Sequence, residues 1–223
     1  MTCTSCGRSF MGAIRCPGGH FVCDDCHDRA AIELATARYR ADPSPDPVRL
    51  FQVVTDDPAV PMLGCHHAAI AALALVTALN TEGTVVIPPA AEAEILERVR
   101  RQAIGGYCGL TGVCGVIPAV GACFATLLGS KCGTRERQRR TMAVTAAAAA
   151  AVAGLTGPSC CKAYALKCIE VACRFLHAYF GVALPIPRTP ACGHAERHPH
   201  GCRRGACPYY PASRDTPPLT PPP

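Results

Sequence analysis

Long stretches of this chain are apolar, and where charge returns it does so at helical spacing. Residues 29–40 read as a short helix. Residues 41–47 read as a turn or linker, because three prolines within five residues forbid regular structure. Apolar residues from His66 to Asn80 predict a helix. Pro88–Ala103 predicts another, with Glu92, Glu94, Glu97, Arg98, Arg100 and Arg101 on its exposed side, proline near its start and Gly105–Gly106 beyond its end. A glycine-rich turn then leads into a helix over about 112–128. Residues 134–154 predict a long helix containing a run of six alanines. Residues 158–180 predict a last helix, with Pro158 in its first turn and Gly181 past its end. From 185 onward the pattern is proline-rich and irregular, and Thr216–Pro223 is expected to be extended or disordered.

Two uncharged runs, Leu110–Ser130 and Thr141–Cys161, reach about the length of a membrane span. They are built of Gly, Ala, Thr and Cys more than of Leu, Ile and Phe, so the driving force for insertion is small. They are expected to be buried small-residue helices in a tight bundle, with no membrane partner.

The composition sharpens this reading. Of 223 residues, 49% are hydrophobic but only 5% aromatic, and none is tryptophan. The core must therefore be made of Ala, Val, Leu, Ile and Cys, which suits close helix packing. A formal charge of +6 gives no strong nucleic-acid signal. Lys131–Arg140, with five basic residues and one acid, reads as a solvated face. The expected class is mainly α: a small N-terminal zinc-knuckle or treble-clef-like module, then an all-α bundle with a cysteine-rich irregular C-terminal segment. The expected boundaries are 1–28 for the module, 29–47 for helix and linker, 48–210 for the helical domain and 211–223 for the tail.

Seventeen cysteines change the picture most. Their number is odd, and many stand in CxxC or adjacent pairs, which are metal or redox spacings. The opening residues have neither a basic n-region nor an apolar h-region, so a reducing cytoplasm is the expected compartment. Cys3-x2-Cys6 and Cys23-x2-Cys26 form two CxxC pairs sixteen residues apart, a zinc spacing in a stretch too short for a core of its own. Cys16 and His20 lie between the pairs. The whole run resembles the first six ligands of a RING finger, without the later CxxC pair that completes a cross-brace. Cys16 and His20 are thus candidates for a second metal with borrowed ligands such as His27 or Cys65.

Three further motifs each open a predicted helix: Gly64-Cys65-His66-His67, the run Gly105–Gly115 carrying Cys108 and Cys114, and Gly157-Pro158-Ser159-Cys160-Cys161-Lys162. Helix N-termini favour anions and thiolates. Cys108, Cys114, Cys160 and Cys161 are therefore the expected ligands of one thiolate-bound centre, an iron–sulfur cluster being the cofactor that fits. His66 and His67 stand as ligands or general acid–base groups. Cys192, Cys202 and Cys207, in an irregular segment with three histidines, are further metal candidates. Cys123, Cys168 and Cys173 lie on helix faces, where cysteine more often packs as a small apolar residue.

Together these motifs resemble the cysteine-rich domain-of-unknown-function family numbered fifty-seven fourteen. The features that carry the resemblance are the N-terminal Cys/His run, the His66–His67 pair, Cys108 and Cys114 among their glycines, the Gly-Pro-x-Cys-Cys-Lys signature at 157–162, and Cys202 with Cys207-Pro208-Tyr209. In the family pattern Arg commonly stands where this chain has Ser159, and a Pro-Glu pair precedes the double histidine where it has Cys65. The resemblance implies an accessory role in cofactor or methyl chemistry, beside a methyltransferase or redox protein. Three functions stay open: a metalloprotein with structural zinc and a thiolate-bound centre in redox, sulfur or methyl chemistry; an enzyme using Cys160 or Cys161 as nucleophile; and a zinc-dependent adaptor.

Overall fold

The computed structural model describes residues 1–11, 19–155, 157–186 and 191–211. Cys16 and the 212–223 tail lie outside them. Among the described residues there are eight α-helices, and the only strand pairing is an isolated bridge between Thr2 and Ser9.

The first helix, α1 (Asp24–Ala41), begins five residues ahead of the expected start and takes Cys26 into its first turn. The expected boundary at residue 28 therefore falls inside a helix. Next comes α2 (Pro47–Thr55), which the proline-rich reading overlooked. Pro47 sits at its first position, where a missing N–H costs nothing, and Asp46 Oδ1 accepts from the N–H groups of Val48 and Arg49, both at 2.9 Å. The centre of the bundle is α3 (His66–Glu82), which packs against α1, α2, α4, α6 and α8. Its sequence is apolar all round, as a helix enclosed on every side requires.

α4 (Pro89–Gln102) buries Ile95 and Val99 and turns its ion pairs outward. The short α5 (Tyr107–Thr111) leads into α6 (Val116–Leu128). Close approach fixes α6 at two glycines: a Cβ on Gly121 would lie 2.6 Å from Thr145, and one on Gly115 2.8 Å from Ala103.

α7 (Glu136–Ala153) departs from the expectation of a buried helix. Only Val144 and Ala148 are buried, one turn apart. Alanine's helix propensity holds the rest of the run together in partial exposure. Its basic start is solvated, with Glu136 paired to Arg139 and Arg140.

α8 (Cys161–Phe180) begins three residues after Pro158, with Cys160 as its N-cap. Cys123, Cys168 and Cys173 are buried in the main core. No helix of the described residues is long and apolar enough to cross a membrane.

Residues 191–211 are irregular but packed. Cys192 N–H donates to Tyr209 O at 2.8 Å, Tyr209 Oη to Glu170 of α8 at 2.7 Å, and Gln52 Nε2 of α2 to Ala191 O at 3.2 Å. The segment therefore returns to the start of α8 and the end of α2.

Candidate metal centres

The N-terminal module has its own small core of Cys3, Cys23 and Cys26, with Phe10, Phe21 and Val22 packed around it. Gly7, at φ 70°, closes the first knuckle by donating to Cys3 O at 2.9 Å. This turn brings Cys6 beside the start of α1, which carries Cys23 and Cys26. The sulfurs of Cys3, Cys6, Cys23 and Cys26 all lie within 4.8 Å of one another, so the four can hold a metal ion. The Cys6–Cys23 separation is 3.8 Å. Bonds near 2.3 Å in a tetrahedron put sulfurs about 3.8 Å apart, so the spacing fits a single zinc-sized ion.

Two of these thiols are biased toward charge and one against it. Burial pushes Cys3 up, but N–H groups of Cys23, Cys6 and Ser5 outweigh it and hold it at about 6. The Arg8 guanidinium pulls Cys6 down, with Nε 3.5 Å from its sulfur. Burial pushes Cys23 up to about 12, and its neighbouring thiols add to this. Charge on Cys23 as well needs a cation in the cluster. His20 is exposed and lies outside the quartet.

In the helical domain, four cysteines meet at helix starts. Cys65 is the N-cap of α3, Cys108 lies in the first turn of α5, Cys114 directly precedes the Gly115 N-cap of α6, and Cys161 opens α8. Gly64 N–H points at Cys161 Sγ at 3.4 Å, and Cys65 Sγ lies 3.7 Å from where a Gly115 Cβ would stand. Cys65 and Cys161 both feel their neighbours. Burial first, then the charges of Cys161, Asp28, Cys114 and Cys108, push Cys65 up to about 12. Burial, with Cys114, Cys160 and Cys108, pushes Cys161 up to about 11. Cys114 rises mainly through burial, although the Val116 N–H opposes it.

Cys65 is the residue that sequence reasoning left out of this centre. Its signal was the same as its neighbours': a cysteine beside glycine directly before a helix.

Cys160 and Cys161, expected together, face different groups. Cys160 lines a cavity with Cys192, Cys202 and Cys207, between the start of α8 and the returning segment. Its sulfur lies against the N–H groups of Ala163 and Lys162. Lys162 is buried, donates to Thr55 O, and is lowered to about 8 by burial.

His66 and His67 are both buried. His67 Nδ1 donates to Gly64 O at 3.1 Å, and its Nε2 is buried without a partner. Burial holds it well below the ordinary histidine value. His66 Nε2 donates to Pro61 O at 3.2 Å, and its Nδ1 stands 3.8 Å from Asp28.

Among the described residues, the N-terminal quartet is the group whose ligand atoms all lie within 4.8 Å of one another; the cysteines of the helical domain stand farther apart.

No curated protein matches the chain, and no solved structure does. The model of a family of unknown function, DUF5714, matches residues 36–210, which takes in α2 to α8 and the returning C-terminal segment but not the N-terminal quartet. The chain belongs to the DUF5714 family.

Proposed function

We propose that this chain is a metalloprotein with structural zinc on Cys3, Cys6, Cys23 and Cys26 and an iron–sulfur centre on Cys65, Cys108, Cys114 and Cys161. The observation that carries the reading is the meeting of these last four cysteines at the starts of α3, α5, α6 and α8. The start of a helix carries free N–H groups and the positive dipole end, which suit an anionic, sulfur-rich group, and the Gly64 N–H already lies 3.4 Å from Cys161 Sγ. The buried thiols resist ionisation on their own, so the set is stable as thiolates only around cations. Their wider spacing favours a polynuclear centre over one zinc.

Such a cluster, when bound, supplies one-electron transfer. The chain's own residues hold and tune the site. The Gly64 N–H, directed at Cys161, stabilises negative charge on that sulfur. His66 and His67, both buried, close off the core beside Gly64, and burial keeps His67 from adding charge there. This chemistry suits redox, sulfur or methyl-group work in the cytoplasm, beside a redox protein or methyltransferase. A nucleophilic role for Cys160 or Cys161 is disfavoured, because burial raises both thiols and a nucleophile needs the opposite.

Purification without oxygen, with metals, acid-labile sulfide and the visible spectrum measured together, tests the reading. Iron with matching sulfide and about one zinc per chain is expected. A colourless protein holding zinc alone would overturn the cluster and shift weight to an adaptor role.

A further inference from the structure

We propose that the adjacent cysteines Cys160 and Cys161 belong to two different iron–sulfur clusters: Cys161 to the one above, and Cys160 to a second held with Cys192, Cys202 and Cys207. This rests on the iron–sulfur reading of the first centre and extends it.

The divergence of the two side chains starts in the backbone. Cys160 is extended, at φ −131° and ψ 107°, whereas Cys161 is the first helical residue. Their sulfurs consequently meet different donors: Gly64 N–H for Cys161, and the N–H groups of Lys162 and Ala163 for Cys160. The cavity beside Cys160 is lined by three more cysteines, all from the returning segment. That segment is pinned where the cavity needs it, by Cys192 N–H to Tyr209 O, by Tyr209 Oη to Glu170, and by Arg203 Nη2 to Pro158 O at 2.6 Å. Second-sphere donors accompany the thiols: Cys202 Sγ takes the Arg204 N–H at 3.3 Å.

The charge of the lining points to an anionic guest. Lys162 and Arg203 both line the cavity. Arg203 Nη1 is buried with no acceptor, and a buried N–H donor left unpaired is costly. A cluster's sulfides and thiolates would accept from it and balance both cations. A single tetrahedral ion would need the four sulfurs close together, and they do not all lie within 4.8 Å of one another as those of the N-terminal quartet do. Four thiols would lose four protons on binding, so assembly is proton-releasing.

The full chain, reconstituted without oxygen from ferrous iron and sulfide, provides the test. Iron and sulfide in the wild type should correspond to two clusters. The variant Cys192→Ser/Cys202→Ser/Cys207→Ser should retain about half the iron, and so should Cys65→Ser/Cys108→Ser/Cys114→Ser. Combining Cys160→Ser with Cys192→Ser should cost no more iron than either alone, whereas combining it with Cys65→Ser should remove nearly all. Dithionite-reduced wild type should show electron-paramagnetic-resonance lines broadened by a second nearby spin, and either triple variant should lose the broadening.

One cluster in the wild type, left intact by the Cys192/Cys202/Cys207 variant, overturns this proposal and leaves the first centre standing. Loss of a second zinc equivalent with iron unchanged also overturns it. Absence of iron from the wild type defeats the iron–sulfur reading itself.

Discussion

His67 shows what burial does to a single group here. Its Nδ1–H is committed to Gly64 O, and protonating Nε2 would place an unsolvated charge in the core beside His66 and Lys162. The folded-state value is therefore depressed. Below pH 6.5 the unfolded chain takes up a proton that the folded chain refuses, so stability falls as pH falls through that range. His67→Asn keeps a donor for Gly64 O and removes the titration. Between pH 7.5 and 5.5 the wild type should lose about 1.4 kcal/mol more unfolding free energy than this variant. Equal losses in denaturant titrations would show that His67 is not held neutral. Gly64 shares the constraint: at φ 151°, a Cβ would stand 2.4 Å from the His66 ring.

At the scale of elements, α2 does more than its nine residues suggest. Its buried face, including Leu50, Phe51 and Val54, packs on α3, Gln52 holds Ala191, and Thr55 O receives Lys162. Its start depends on Asp46, so Asp46→Ala should cost about 1 kcal/mol. Asp46→Asn should cost little. A denaturant midpoint unchanged in Asp46→Ala would show that Pro47 and packing suffice. The sequence pattern announced α3, α6 and α8 by their apolar stretches between helix boundary signals, and α4 by charges at helical spacing between a proline and a glycine pair. α2 was hidden because it is short and follows the same prolines that rule out structure just before it.

For the whole molecule, two cores are joined by one helix. α1 begins at the metal quartet and ends with Ala31, Ala35 and Tyr39 in the main core. The quartet's core contains few apolar residues, so a metal ion held there would supply most of its stability. Cys23→Ser/Cys26→Ser should lose about one zinc per chain, retain iron, and open the first ~20 residues to protease while the helical core stays folded. Collapse of the main thermal transition in this variant would show instead that the bundle depends on the module.

The sequence by itself determined the local chemistry: two CxxC pairs spaced for one ion, cysteines directly before helices, and an all-α bundle of small residues. These follow from spacing, periodicity and capping, which act within a few residues. It did not determine which cysteine joins which. Cys65 meets Cys161 only because α3 and α8 pack together, and Cys160 meets Cys192, Cys202 and Cys207 only because residues 191–211 return to the start of α8. Contacts across 30 to nearly 100 residues are set by the packing of the whole bundle, which no local pattern encodes.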